Sequence, residues 1–582
     1  MPAKPSDEVK TRIVRGTQPN GDIYVLERKT KYDPEKKWNN VLSTKLLKKI
    51  PKGTETPMPT RPKKPPGSKG NESVSTITAA REHIGMMEII GHIGAVSGID
   101  GSLYGNTDLG TAQKIISVAR YLLATNGQSL PGILTWQFNH PLPYGDGLSE
   151  DIYHDLFAQV GRDESLQQNF FASRCEGIKE RAVLAYDSST ISTYSEQQIE
   201  ARYGFNKAAD GLKTIKILTL YSIETRQPVA FTKQPGNLPD VVTIENALAQ
   251  LSGLGMGNAE IVTDNGYYSE HNITELFLAH FDFITLAKTD IKWVKAEIDR
   301  NYGSFSSVSS ACPFDAQTHG IAIMLMREFT KVRKYASSKS GAQKGDKEKF
   351  RRRVYLHIYF SPKRKADEDV SFDNDLIWLR KTIEEGAALT ELSDGAQDRA
   401  EKYLSVRNLG ASPHITFNEA ACDEAKKYHG YFVLVSNCEK EPFECLRKYR
   451  KRELIESFFE SMKQHADATR IRVWDTDTLR GRLFVQFVSL CYHEYLSEEI
   501  RKLKESLAKP NGNLKHDSKE NLELEKKLNA WLGNTPLYLI LQWFDTVENV
   551  SVSNKLQLIR WNTEVTARDK LLLDKLGVTL PQ

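Results

Sequence analysis

The chain is poor in the residues that staple a fold or span a bilayer. Its six cysteines (Cys175, Cys312, Cys422, Cys438, Cys445, Cys491) include no CxxC pair. They read as reduced thiols rather than disulfides or a cysteine zinc site. The 13 histidines form no HxxxH or HxH pattern, so no His-ligated metal is expected. Long hydrophobic runs are missing too. Stretches such as YFVLV (431–435) and LYLIL (537–541) fall far short of the roughly 20 apolar residues of a membrane helix. The opening MPAKPSDEVK has no apolar segment behind its charges, unlike a secretory leader.

What is present suits a folded protein. Hydrophobic residues make up 40% and charged residues 26% of 582, which is ordinary globular composition. That length exceeds one core, so about two to four folded units are expected. The formal net charge is only +4, but residues 1–70 carry 17 Lys/Arg against 7 Asp/Glu, leaving the remainder mildly acidic. A basic arm on an acidic body fits either a polyanion contact or a solvated tail.

Residues 1–50 read as a basic arm with a small hairpin over 20–50, turning at Asp33-Pro34, and 51–78 as a Pro/Lys-rich linker. From 79 to 180 the period is helical, as in TAQKIISVARYLLA (111–124). Such a unit is either a DNA-binding module or a scaffold. At 181 the pattern becomes strand, hairpin, helix, strand, helix, strand, ending near 290 in FDFITLAKTD. This predicts an α/β layered core. Residues 291–430 interrupt it with a basic Ser/Gly/Lys tract and strand-like VYLHIYF. The core resumes over 431–500, with a strong helix at 445–467 and another at 484–506, and 501–582 reads as a helical C-terminal region.

Two aspartates, Asp187 and Asp264, end predicted strands, where open α/β sheets place ligands. Each alone is ordinarily a turn former. The helix around 449–463 adds to them. Tyr449, Arg452, Glu456 and Lys463 are spaced by 3, 4 and 7, which keeps them within an arc of roughly 60°. Leu454, Ile455, Phe458, Phe459 and Met462 fall opposite. One face is therefore core and the other carries a phenol, a guanidinium, a carboxylate and an ammonium. Glu453 and Glu460 lie close to the same polar face, so periodicity leaves the choice of carboxylate open. Three carboxylates suit hard divalent cations, and neighbouring cations suit phosphates.

In full register, Tyr449-x2-Arg452-x3-Glu456-x6-Lys463 resembles the YREK signature of bacterial cut-and-paste insertion-sequence DDE transposases. YDSSTIS (186–192) looks like the family's first-aspartate strand, VTDNGYYS (262–269) its second, and QPGNLPD (234–240) the loop before the intervening helix. The resemblance spans about 181–495 and selects Glu456. It implies a ribonuclease-H-like catalytic core interrupted by a β-rich insertion domain (291–430), with a helical N-terminal domain and a C-terminal region (501–582) that is a candidate for dimerisation. It also implies Asp187, Asp264 and Glu456 as catalytic ligands of two Mg²⁺ ions, for which Mn²⁺ substitutes. Tyr449, Arg452 and Lys463 would contact DNA. The expected partners are double-stranded DNA and a second copy in a synaptic homodimer, in a bacterial or archaeal cytoplasm.

Two positions depart from the pattern. Asn265 stands where Arg or Ala is commoner, and Arg482 where His often follows a Gly. Weaker candidates for DNA contact are Trp293, also explained as a partly buried tryptophan, and Lys213 and Lys216, also explained by a solvated strand face. Tyr203, Asn206 and Lys207 (RYGFNK) resemble the family's post-aspartate segment, which implies positioning rather than catalysis. The rival functions are a nuclease that cuts without joining and a non-catalytic DNA-binding descendant.

Overall fold

The computed structural model describes residues 9–18, 21–33, 38–50, 52, 78–178, 182–204, 206, 209–333, 343–386, 388, 391–409, 412–465, 470–471, 473–509, 519–553, 558–563 and 565–581. Two compact units emerge, Met1–Thr78 with Asn554–Gln557, and Ala79–Ser553 with Leu558–Gln582. In the first, alternating residues pair as an antiparallel meander of β1 (Lys10–Thr17), β2 (Ile23–Asp33) and β3 (Trp38–Ile50). The sequence shows the β2–β3 hairpin, and β1 adds a third strand. Val25 is the one buried side chain among its described residues. Apart from Lys52 and Thr78, the expected linker lies outside the described residues, as does Pro34 of the expected turn.

β4 (Thr78–His83) leads into the second unit, followed by α1 (Gly85–Val96), α2 (Ile99–Asn106), α3 (Leu109–Ala124), α4 (Ile133–Trp136), α5 (Glu150–Arg162) and α6 (Glu164–Glu176). Asp108 starts α3 by accepting from the Thr111 amide at 3.0 Å, which satisfies one of the orphan donors of a first turn. Ile115, Ile116, Ala119 and Leu122 then bury one face.

The α/β order follows as read from the sequence: β5 (Val183–Thr193), β6 (Lys213–Ser222), β7 (Gln227–Pro235), α7 (Ile244–Gly253), β8 (Glu260–Thr263), α8 (Glu270–Leu278) and β9 (Asp282–Ala287). Ser269 caps α8 through the Asn272 amide at 3.0 Å.

Next come α9 (Lys292–Arg300), β10 (Ala311–Cys312), β11 (Asp315–Val332), β12 (Lys347–Phe360), α10 (Pro362–Glu384), α11 (Asp394–Tyr403), β13 (Leu404–Leu409), β14 (Ser412–Phe417) and α12 (Glu419–Lys426). The span expected as a β-rich insertion thus divides. Its strands β10–β12 join the main sheet, and its second half is largely helical, gathered on a small core of Leu376, Leu379, Ile383, Ala400 and Tyr403. The reason is in β12, where Val354–Tyr359 is buried on both faces and apolar apart from His357. A run buried on both faces belongs inside a sheet.

The chain closes with β15 (Tyr431–Ser436), α13 (Pro442–Arg450), α14 (Glu453–His465), β16 (Arg470–Ile471), α15 (Thr476–Ala508), α16 (Lys519–Asn534), α17 (Leu537–Phe544), β17 (Glu548–Ser553), β18 (Leu558–Asn562) and α18 (Ala567–Leu576). The main sheet runs β10-β11-β12-β15-β9-β8-β5-β6-β7. It is parallel across β9, β8 and β5 and antiparallel through β6 and β7. The expected helical C-terminal region holds α16, α17 and α18 but needs correction in part, because β17 and β18 form a sheet with β4. That partner lies more than four hundred residues earlier, so no local pattern announces it.

Helices α5 and α15 cross at their glycines. A Cβ on Gly481 would stand 1.9 Å from the Phe157 carbonyl oxygen, and one on Gly161 1.8 Å from that of Asp477. Backbone therefore meets backbone. Among the described residues, no helix is long and apolar enough to cross a membrane.

Candidate active site

Strands β5 and β8 lie side by side and parallel, with Ala185 opposite Val262. Two residues beyond that pair, each strand presents an aspartate, Asp187 on β5 and Asp264 just past β8. The Asp264 carboxylate accepts from the following Asn265 amide at 2.8 Å, opening a short 3₁₀ turn. The third acid arrives on α14. Ile455, Phe458, Phe459 and Met462 of that helix are buried, with Phe458 beside Tyr221 of the sheet at 5.7 Å between ring centroids. Glu456 stays on the open side.

A cavity of about 210 Å³ is lined by Asp187, Asp264, Glu456, Asp240, Lys216 and Asn265, among others. Glu453 and Glu460 do not line it and are exposed. Arg452 ties the three expected acids together. Its guanidinium sits 3.0 Å from Asp187 and 2.7 Å from Glu456, and 3.9 Å from Asp264. Tyr449 donates its phenol proton to Asp264 at 3.1 Å, and its ring lies 5.7 Å from the guanidinium. Burial, then the Asp264 charge, pushes the Tyr449 phenol well above its ordinary range. Burial works against the Arg452 charge, but Tyr449 and the three carboxylates outweigh it and hold the guanidinium more firmly protonated than usual.

The single helix expected over 445–467 is broken. Tyr449 belongs to α13, Arg452 sits in the turn between helices, and Glu456 and Lys463 ride on α14. At the junction the Arg452 amide bonds Tyr449 and the Ile455 amide bonds Arg452, both at 2.9 Å. These are i→i+3 bonds, tighter than α-helical ones. The break lets Arg452 turn inward beneath Glu456 and bury itself. Lys463 lies two turns further along α14, half-buried and away from the cavity lining.

Sequence reasoning missed Asp240. It enters from the loop before α7, takes the Lys216 ammonium at 2.7 Å and the Ser188 hydroxyl at 2.8 Å. Lys216 also donates to the Leu238 carbonyl at 2.6 Å and is buried, not on a solvated strand face. QPGNLPD contained the acid, but only the fold brings it to Lys216. The other candidates scatter. Trp293 packs half-buried under the Arg327 guanidinium, 4.1 Å from its ring. Lys213 pairs with Glu196 at 2.6 Å and lies over the exposed Tyr203 ring. Asn206 donates to Ser192 at 3.3 Å, and Lys207 lies outside the described residues. Arg482 is buried beside Gly481 on α15, so that departure falls within helix packing rather than at the cavity.

The donor set is all hard oxygen, as a small divalent cation requires. The three acids do not already form one compact cage among the described residues; Arg452 occupies the position between them and supplies the positive charge.

The sheet thus carries acids on adjacent parallel strands, with a third on an overlying helix. The chain belongs to the transposase DDE domain family, which it matches over residues 178–492, more than half its length. Among solved structures it is similar to a cryo-EM structure of the piggyBac transposase synaptic complex with hairpin DNA, at 10% identity and a TM-score of 0.35, over 79% of this chain and 81% of that one. The search of curated proteins found no match.

Proposed function

We propose that the protein is a Mg²⁺-dependent DNA transposase that cuts at the ends of its own insertion sequence and joins the freed ends to target DNA. The observation that carries this reading is the meeting of Asp187, Asp264 and Glu456 at one cavity through one guanidinium. The strand order β7-β6-β5-β8-β9, with a leading antiparallel hairpin, supports a ribonuclease-H-like core. Asp187, Asp264 and Glu456 would hold two Mg²⁺ ions, whose chemistry is to activate the attacking oxygen and offset charge on the leaving one. Arg452, once freed from the carboxylates, is assigned to a phosphate beside the cleaved bond, where its fork gives bidentate contact. Tyr449 is assigned to the terminal nucleotide and Lys463 to the backbone further along. Two copies would synapse two double-stranded ends, and the chain would work in the cytoplasm.

The test is cleavage of a duplex carrying the element's terminal repeat, with strand transfer to a second duplex as the further readout. Glu456→Gln should abolish both while DNA binding persists, and Glu453→Gln and Glu460→Gln should retain both. Equal cleavage by wild type and Glu456→Gln would overturn the assignment. Cleavage without joining would leave only a nuclease.

A further inference from the structure

His83, His140 and Asp545 come from three distant parts of the chain: the end of β4, the loop after α4, and the residue after α17. Each offers one ligand-capable atom, and these lie within 4.8 Å of one another. The two imidazoles stack with centroids 4.8 Å apart, and Trp136 stacks on His140 at 3.8 Å. His140 is buried, while His83 and Asp545 are half-buried.

Hydrogen counting singles the cluster out. His140 Nδ1 faces the Trp136 carbonyl oxygen at 2.8 Å, and its Nε2 faces Asp545 Oδ1 at 2.9 Å. Both partners are acceptors, yet a neutral imidazole has one N–H. A proton on Nδ1, given to a carbonyl, is the arrangement that orients a metal-ligating histidine and leaves its Nε2 lone pair free. That lone pair then faces a carboxylate, and the two repel unless a second ring proton or a metal cation lies between them. His83 also sets one nitrogen against a carbonyl, but its other nitrogen lies toward a second carboxylate, Glu548. Its Nδ1 faces the Asp545 carbonyl oxygen at 2.7 Å and lies 3.7 Å from Asp545 Oδ1, and its Nε2 lies 3.6 Å from Glu548 Oε1. The Glu548 carboxylate is also gripped by Arg81 at 2.7 Å.

We propose that His83, His140 and Asp545 bind a zinc-type cation, with water as the fourth ligand. Two imidazoles and one carboxylate form a borderline-soft set that suits Zn²⁺ and Co²⁺ and not Mg²⁺. The site fastens the C-terminal segment to the start of the helical region. Backbone bonds already join the same places: the His83 amide to Asn139 at 2.7 Å, and the Ile84 and Gly85 amides to Val547 at 3.0 and 3.1 Å.

The full chain, stripped by chelator, is titrated with Zn²⁺ alone in excess Mg²⁺, which competes for oxygen ligands only. Elemental analysis after desalting should find about one zinc per chain, with a rise in the unfolding temperature. Co²⁺ in its place should give visible absorption bands of nitrogen ligation. His140→Gln and Asp545→Asn should each lose at least roughly tenfold in affinity, whereas Glu456→Gln keeps the zinc. Absence of stoichiometric zinc in wild type, or equal binding by a folded His140→Gln, overturns the site. If His140→Gln fails to fold, His83→Asn decides by the same readout. Zinc lost from Glu456→Gln but kept by His140→Gln would move the ion to the carboxylate cavity and also overturn the site.

Discussion

Replacing Arg452 by Gln keeps most of the side chain's bulk and removes its charge from the midst of three carboxylates. The pair with Asp187 dominates the outcome, because at 3.0 Å the two side chains are only 10% and 16% exposed. Stranding a buried partner in this way costs about 3–5 kcal/mol. The Glu456 pair is close, at 2.7 Å, but Glu456 is 55% exposed, so solvent screening leaves it under about 1 kcal/mol. Without divalent cations, Arg452→Gln should therefore be less stable than wild type by about 3 kcal/mol, read by urea unfolding at neutral pH. On the proposed function, the same carboxylates take Mg²⁺, and wild type must first release Arg452. Mg²⁺ should then bind the variant up to about 100-fold more tightly, since each 1.4 kcal/mol is tenfold. Saturating Mg²⁺ should close most of the stability gap. Equal stability without cation, or the same Mg²⁺ stabilisation of both proteins, would refute the reasoning.

Two further outcomes follow from buried groups away from the cavity. His357 is fully buried on β12, beside the Glu439 carbonyl at 3.2 Å, and burial pushes its imidazole down to about 4. The unfolded chain protonates first, near pH 6.5, so stability should fall as pH drops from about 6.5 towards 4, by up to about 3 kcal/mol. His357→Leu should flatten that part of a thermal-unfolding profile, and an unchanged slope would count against the assignment. Gly481→Val would drive a side chain into the Phe157 carbonyl. It should cost about 3 kcal/mol or more in urea unfolding, and a variant as stable as wild type would show that the helices yield.

The α/β order of 181–290 was legible because each signal in it is local, a short apolar strand run or a helical period that needs no distant partner to be seen. The apolar side of α14 was legible for the same reason, since 3.6-residue spacing needs no partner to be seen. What escaped depends on distant partners. Periodicity continued the helix through Arg452, but the side chain is drawn to Asp187, 265 residues earlier, and the helix breaks there. Lys216 read as a solvated strand position until Asp240 came to meet it. The histidines showed no short spacing because the cluster assembles from residues as much as 462 apart. The β17–β18 hairpin was likewise invisible without β4.

The Gly161–Gly481 crossing bears on how the protein can be cut into parts. Gly481 lies inside the span that matches the family, and Gly161 lies before it. The stretch defined by common descent is therefore not the stretch that folds on its own. Expressed alone, residues 178–492 would lose α5 and cut α15 short, leaving its packed face bare, so an autonomous catalytic fragment must reach back to the helices ahead of β5 and forward to the end of α15.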